Sequence, residues 1–469
     1  METGDSREGS NMSAPLTRDG PWKATERPLL DTACEILGEI RSHGHAAVIA
    51  GGAVRDHVMG RPLTDVDIAT DMPLEKLSAL FRTHEVGRSK DFDTVVITRR
   101  GRAFEVSRFR RGAAPPPPEG FDPLREDTAH RDFTINALLM GPDGGVVDLQ
   151  GGLEDLRRRV VKAVGSPRAR FSEDPARILR AVRFAACLGF AIEDKTGAAV
   201  AGCAPLLATV AGERIGKEIL KMASQPGEAL AAAVRLMDRF GLLGMVIPEV
   251  GDLQGLPQPV EWHPEGDAWE HTLAALRAST FPDPAVNLAV LLHDIGKRPA
   301  HREERGRHRY RGHDGAGAGL VEVVARRLFL PQRMRAAIAF AVGHHMQAGR
   351  LAELRRSKRL ALVGSEHWPT LRALAICDCA ARGAGAAVAR LEAVFREAEG
   401  DAATVGDRQA GAPVITGTRI MELTGLAPGP RVGEIRRRIS EWAQDNRIED
   451  RARIEAEVGR VAGELRPES

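Results

Sequence analysis

Apolar residues Leu30, Cys34, Leu37 and Ile40 recur at helical spacing, and Gly44 follows as a stop, so a helix is predicted over residues 27–43. A short apolar run from Ala46 to Ala50 ends at Gly51-Gly52 and reads as a strand. Further strand-like runs lie at Val66–Ala69, Thr94–Thr98, Ala103–Val106 and Val146–Leu149, and helix-like segments between them at Pro73–Phe81 and Phe133–Met140. This alternation predicts an α/β head with a mixed sheet. Between Arg110 and Arg125, the run Pro115 to Pro118 marks a stiff, extended loop. Past about residue 150 strand patterns become scarce and the helical period dominates.

A length of 469 residues suits roughly three domains. Gly and Pro punctuation near 225, 251–258 and 400–413 divides the helical part. The expected order is a disordered lead-in at 1–24, an α/β head at 25–150, an all-α neck at 151–225, a helical body at 226–400 and a helical tail at 401–469. The lead-in is polar and mixed in charge, without the apolar segment of a signal peptide. No apolar run approaches the ~20 residues of a membrane helix, so no membrane partner is expected.

Composition changes this picture little. Cys34, Cys187, Cys203, Cys377 and Cys379 are scattered and odd in number. They argue against a disulfide framework or a zinc–thiolate site and for a reducing cytoplasm. A net charge of +2 neither demands nor excludes nucleic acid, although basic residues cluster in Arg99–Arg111, Arg157–Arg159 and His301–Arg311. Aromatic residues make up only 4% of the chain, which leaves little material for stacking on bases.

Candidate chemistry sits in two places. In the head, Gly51-Gly52 follows a strand and opens the segment carrying Arg55 and Asp56. Glycines there let the backbone approach a polyphosphate, though a lone Gly-Gly is usually a plain turn. Asp65-Val66-Asp67 places two carboxylates on one face of a strand, and Glu105 on a later strand offers a third. Converging carboxylates favour a cation between them, and Mg²⁺ with substrate phosphates is the natural occupant. Taken alone, such a pair also reads as a solvated turn. His130-Arg131-Asp132 precedes a segment read as an amphipathic helix.

Farther on, Asp174 and Arg177 lie three apart at the start of a helix. The bland reading is an ion pair. The chemical one is base selection, because cytosine and adenine each present an amino donor beside an unprotonated ring nitrogen, whereas uracil and guanine present the reverse. A carboxylate next to a guanidinium complements the first pair only.

Gly51 to Asp56 with Asp65/Asp67, Arg131-Asp132, Gly151 to Leu156, Glu173 to Arg177 with Ala181 to Phe184, and Glu213-Arg214-Ile215 with Glu218 follow one another in a set order. With Pro413 to Ile435, that order resembles the class II tRNA nucleotidyltransferase and bacterial poly(A) polymerase family. The resemblance implies that Asp65 and Asp67 hold two Mg²⁺ ions; Glu105 stays a candidate third catalytic carboxylate from its strand position, which alone also reads as an exposed strand residue. The resemblance also implies that Gly51, Gly52 and Arg55 grip the triphosphate, that Arg131 and Asp132 read the ribose, and that Asp174 and Arg177, with Arg180 beside them, read the base. The implied reaction is addition of CMP and AMP from CTP and ATP to the 3′ end of tRNA. Rivals are a partial enzyme adding only CC or only A, and a poly(A) polymerase. The chain departs from the family at His130, where arginine is usual, and in the shorter, Pro-rich stretch Arg111 to Ala129.

The second place is helical. Eight of the fourteen histidines fall between His263 and His345, and His293-Asp294 follows an apolar run. Imidazoles and carboxylates at this density suit a divalent transition metal. The set resembles the HD phosphohydrolase superfamily, which implies His271, His293, Asp294 and Asp378 as core ligands. His313 and His345 match the extra histidines of dinuclear sites, with His344 competing for the place of His345. The resemblance implies phosphatase or cyclic phosphodiesterase activity with Mn²⁺, Ni²⁺, Fe²⁺ or Co²⁺. A rival of another class is an HD hydrolase whose head only binds RNA.

Overall fold

The computed structural model describes residues 26–85, 94–110, 122–258, 266–383, 385–409 and 414–465. The expected lead-in and the run Pro115 to Pro118 lie outside them. The chain divides into two compact units, Met1–Ala211 with Arg239–Leu242, and Gly212–Asp238 with Leu243–Ser469.

The first unit begins with α1 (Arg27–Ser42), whose Leu30, Ile36, Leu37 and Ile40 form its buried face. Seven strands follow: β1 (Ala47–Ala50), β2 (Asp67–Thr70), β3 (Thr83–Glu85), β4 (Thr94–Arg99), β5 (Arg102–Arg108), β6 (Leu138–Met140) and β7 (Val146–Asp148). Their spatial order is β3-β4-β5-β2-β1-β6-β7, with β2 parallel to β5 and the other pairs antiparallel. The sheet is therefore mixed, as the pattern predicts. β1 lies inside the sheet between β2 and β6 and is buried along its whole length, which is why it reads as an unbroken apolar run.

Two local expectations fail. Phe133–Met140 is not a helix but a 3₁₀ turn, Thr134–Asn136, leading into β6. Every residue of this segment is buried, so no polar face marks a period, and pairing of its end with β1 on one side and β7 on the other decides the conformation. The last part of the expected loop is also wrong, because Pro123–Ala129 forms a helix, α4 after α2 (Gly52–Val58) and α3 (Leu74–Leu80). Asp122 caps it by accepting from the Leu124 and Arg125 amides, and Pro123 takes the first turn, where a missing N–H costs nothing. The Asp-Pro step at 122–123 was the legible signal.

Beyond the sheet come α5 (Gly152–Arg157), α6 (Pro167–Glu173) and α7 (Ala176–Leu188), the last closed by Gly189 in the left-handed conformation. The second unit is helical apart from one described hairpin, Arg302–Glu304 with Arg307–Arg309. Its central helix, Pro284–Leu292, is buried from Val286 through Leu292 and is surrounded by other helices. Near the end, Gly417–Thr424, Pro430–Asn446 and Arg451–Glu464 share a core of Ile420, Ile435, Ile439, Ile454 and Val458. Among the described residues no helix is long and apolar enough to cross a membrane.

Candidate active site and metal centre

In the head, pairing of β2 begins with Asp67 opposite Ala50. Asp65 stands in the loop before it and accepts from Thr64 Oγ1 at 3.1 Å. On the other side, the parallel register Ile68↔Val106 brings Asp67 beside Glu105 one step earlier. Alternation puts both carboxylates on the face opposite the buried Ile68 and Val106. Asp65, Asp67 and Glu105 are all accessible. Loss of surrounding water, then repulsion from Asp65 and Glu105, pushes the Asp67 carboxyl up to about 6 against the pull of Arg131 and Arg110. The three do not form a tight cage: the trios of ligand atoms within 4.8 Å found among the described residues lie in the second unit. An all-oxygen, open donor set fits Mg²⁺ whose coordination is completed by water and phosphates.

Around the carboxylates runs a network of fixed cations. Gly51 has φ +75°, and a Cβ there would stand 3.1 Å from Arg131 Nη1, so glycine keeps room for that guanidinium. Arg131 donates to Asp127 Oδ2 at 2.7 Å and to the Asn136 carbonyl at 3.4 Å. Arg55 is buried and donates Nε and Nη2 to Asp56 at 3.0 and 2.8 Å, and Nη1 to Asn136 Oδ1 at 2.7 Å. Asn136 in turn donates to Asp132 Oδ1 at 3.2 Å, beside the Phe133 amide at 2.8 Å. Asp132 Oδ2 accepts Nε and Nη2 of Arg180 at 2.8 and 2.5 Å. Burial alone would raise the Asp132 carboxyl, but Arg180 and then Arg110 hold it well below the usual range. Its four lone-pair sites are thereby taken. Arg55, Arg180 and Arg183 also stand 5.2, 5.4 and 4.0 Å from the centre of the Phe184 ring.

Asp174 ends α6 and accepts from the Ala176 amide at 3.2 Å. Arg177, in the first turn of α7, donates to Glu173 Oε2 at 3.0 Å, to the Arg170 carbonyl at 3.2 Å and to the His130 carbonyl at 3.4 Å. Arg110 reaches the same His130 carbonyl at 3.4 Å, and Arg170 reaches that of Ala129 at 3.2 Å. The carbonyls at the end of α4 thus gather three guanidiniums and tie the 174–177 segment to the 130–132 segment. His130 turns its ring back to the Glu126 carbonyl at 3.0 Å, so main chain, not imidazole, receives the arginines. Arg110, Asn136 and Phe184 carry much of this arrangement, yet sequence reasoning gave none of them a role. The basic cluster Arg99–Arg111 was the hint for Arg110.

In the second unit five elements converge. Helix Ala268–Ala278 brings His271, the end of Pro284–Leu292 brings His293 and Asp294, His313–Arg327 brings His313, Gln332–Ala348 brings His345, and Trp368–Ala381 brings Asp378. All six are buried. His271, His293 and Asp378 form one trio of possible ligand atoms, and Asp294, His313 and His345 form another. His344 lies outside both, stacked on Phe340 at 4.3 Å. Nδ1 of His293, His313 and His345 is bonded to the carbonyls of Val290, Tyr310 and Val342 at 2.8, 2.8 and 2.7 Å. Those nitrogens must be the protonated ones, which leaves each Nε2 lone pair aimed inward.

This arrangement fits a metal on two counts. His313 Nε2 and His345 Nε2 face each other at 3.1 Å, and with both rings neutral and Nδ1-protonated these are two acceptors, a contact that a cation between them relieves. Nε2 of His293 is buried without a hydrogen bond. Burial, the largest influence, lowers His345 to about 4, which keeps it neutral. Gly296 makes the convergence sterically feasible, since a Cβ there would meet the His313 carbonyl at 2.0 Å and the Gly317 amide at 2.5 Å. Each carboxylate has its own basic partner: Lys297 donates to Asp294 at 2.6 Å, and Arg382 to both oxygens of Asp378 at 2.8 and 3.0 Å. Sequence reasoning noted Lys297 behind His293-Asp294 without giving it a partner and missed Arg382, although their spacings of three and four residues were visible.

Comparison with known proteins bears on the head, the segment after it and the fold. Residues 47–162 match the model of the poly A polymerase head domain, and residues 189–253 match that of the probable RNA and SrmB-binding site of polymerase A. The CCA-adding enzyme of Geobacillus stearothermophilus is 40% identical over 46% of this chain and 54% of its own, so the chain spans about half of that relative. The multifunctional CCA protein of Halorhodospira halophila is 35% identical over 65% of this chain and 74% of its own. The crystal structure of the Bacillus stearothermophilus CCA-adding enzyme in complex with CTP covers 92% of this chain and 97% of its own, with a TM-score of 0.68 and 28% identity.

Proposed function

The chain belongs to the family of CCA-adding enzymes and poly(A) polymerases, and on that premise we propose that it adds CMP and AMP from CTP and ATP to the 3′ end of tRNA. The carrying observation is the approach of Asp65, Asp67 and Glu105 in front of a rigid arginine network. Mg²⁺ held by Asp65 and Asp67, two ions in all, would neutralise charge on the triphosphate and on the attacking 3′-hydroxyl. Arg55, pinned by Asp56 and Asn136, would grip the triphosphate, and Arg131, pinned by Asp127, would read the ribose, so neither needs rearrangement as charge develops. Asp132, its lone pairs filled, acts by holding Asn136 and Arg180 rather than by reading the ribose itself. Asp174 and Arg177 select the base, with the Arg177 plane fixed by Glu173 and by the His130 carbonyl. The test is tRNA ending at the discriminator base, incubated with CTP, ATP or both, then sequenced at its 3′ end. CCA supports the proposal; CC alone or A alone makes it a partial enzyme, and A-tails on any RNA make it a poly(A) polymerase.

A second activity is favoured by the inward-facing lone pairs of His293, His313 and His345. The six buried residues would hold Mn²⁺, Ni²⁺, Fe²⁺ or Co²⁺, which supplies an activated water for phosphate-ester hydrolysis. A 2′,3′-cyclic phosphate at a damaged tRNA end blocks addition, and its removal suits a chain that also adds nucleotides. Hydrolysis of 2′,3′-cyclic AMP under each metal, lost in His293→Ala/Asp294→Ala, supports this activity. No hydrolysis and no bound metal reduces the cluster to a structural feature.

A further inference from the structure

Helix α7 carries Arg177, Arg180 and Phe184 at i, i+3 and i+7, which places the three on one face. Arg177 belongs to the base-selecting end, and Phe184 stands two turns farther on, about 10 Å along the axis. The Phe184 ring is buried, and fully buried Phe133 meets it at a steep angle, with centres 5.7 Å apart and 76° between the planes. That edge-to-face contact fixes the ring against the segment that also holds Asp132.

Three guanidinium carbons surround this one ring, Arg183 at 4.0 Å, Arg55 at 5.2 Å and Arg180 at 5.4 Å from its centre. Like charges gathered this closely repel one another, so something must offset the cost. Asp56 and Asp132 neutralise Arg55 and Arg180 from one side. The face of an aromatic ring carries partial negative charge, and its attraction for a cation strengthens where water is excluded.

Arg55 shows what the ring adds. Its guanidinium is buried, and three of its five N–H groups are engaged, Nε and Nη2 by Asp56 and Nη1 by Asn136. Two N–H groups are left to meet a phosphate. Hydrogen bonds at its edges hold the guanidinium within its plane, whereas a π face beside its carbon sets how that plane is tilted. An aliphatic side chain of similar bulk would fill the space without that attraction.

We propose that Phe184 is a positioning residue for the triphosphate grip: its ring face orients Arg55 towards the phosphates, on the same helix whose first turn reads the base. The inference rests on the nucleotidyltransferase reading and deepens it. Phe184 touches no part of the nucleotide itself, so its effect falls on the phosphate end and spares base choice.

The test is calorimetric titration of the full chain, with Mg²⁺ and without RNA, by CTP, ATP, UTP and tripolyphosphate. Tripolyphosphate has neither base nor sugar and therefore reports the grip alone. Pentafluorophenylalanine placed at position 184 keeps a flat ring of similar size and reverses the charge of its face. We expect it to weaken CTP, ATP and tripolyphosphate by one common factor of about tenfold, with the ratio of CTP to UTP affinity unchanged. Phe184→Leu should weaken the same ligands at least as much. Unaltered tripolyphosphate affinity in the fluorinated chain overturns the proposal, because the ring then acts by packing alone. Weakening confined to CTP and ATP also overturns it, by placing the ring at the base or ribose. Failure of the parent chain to bind CTP or ATP defeats the nucleotidyltransferase reading separately. Tripolyphosphate then still decides the role of Phe184, and its failure to bind the parent chain overturns that role as well.

Discussion

Replacing Asp67 with Asn should make the head locally more stable while destroying nucleotide addition. Asp67 carries the cost of its neighbours: its carboxyl is moved from 3.8 to about 6 by lost hydration and by Asp65 and Glu105. In a fully buried group that change would be worth ~3 kcal/mol at neutral pH. Asp67 is accessible, and solvent screening brings the figure down to about 1 kcal/mol. The sign follows from proton binding, because a raised carboxyl holds its proton more tightly folded than unfolded. Destabilisation is thus fully present above about pH 6 and fades as pH falls from there towards 3.8. Hydrogen exchange of peptides spanning β2 and β5, in EDTA, reads the local opening equilibrium. At neutral pH, Asp67→Asn should exchange roughly fivefold more slowly than the parent chain, the equivalent of about 1 kcal/mol. The difference should shrink on acidification. Added Mg²⁺ should slow exchange in the parent chain and have little effect on the variant. A variant that exchanges as fast as the parent at neutral pH, or equal protection of both by Mg²⁺, would refute the idea that these carboxylates converge on a cation.

Other expectations concern selection, metal and packing. Arg177→Ala should reduce discrimination of CTP and ATP against UTP and GTP by about 1–3 kcal/mol, read as ratios of kcat/KM. Glu173→Gln should lower it less, since the carbonyls of Arg170 and His130 still hold the guanidinium; unchanged ratios in both variants would make the segment structural. Arg180→Ala strips Asp132 of its charged partner and should lower kcat for all four nucleotides alike, whereas a change confined to one base would place Arg180 in base reading. His293→Ala should abolish bound transition metal by elemental analysis while CCA addition continues at the parent rate. Gly296→Ala should force the start of helix His313–Arg327 away and cost about 1–3 kcal/mol of stability together with metal binding; normal metal content and melting temperature in this variant would show that the contact can relax.

Much of this architecture is written locally. Apolar residues three and four apart mark α1, and the four-residue apolar run of β1 marks an inner strand, because period and burial are properties of neighbouring positions. The same locality makes Asp65-Val66-Asp67, His293-Asp294 and the Asp174/Arg177 pair visible as candidates. Where burial is complete, local pattern goes silent, and Phe133–Met140 shows it: pairing with β1 and β7 makes its end a strand.

Tertiary structure alone decided which groups meet and how they are oriented. Arg177 reaches a carbonyl 47 residues away, so the identity of residue 130 is secondary to its backbone. Asp132 became a holder of other side chains because Arg180, 48 residues on, fills its remaining oxygen. His345 rather than the adjacent His344 faces the metal-type cluster because one residue is a turn of about 100° around a helix. Its Nε2 meets that of His313 across 32 residues, once carbonyls have fixed both tautomers. Residue type sets what a side chain can donate, accept or ligate; packing of distant segments sets the direction of each lone pair and whether it is already taken, and no local pattern carries that information.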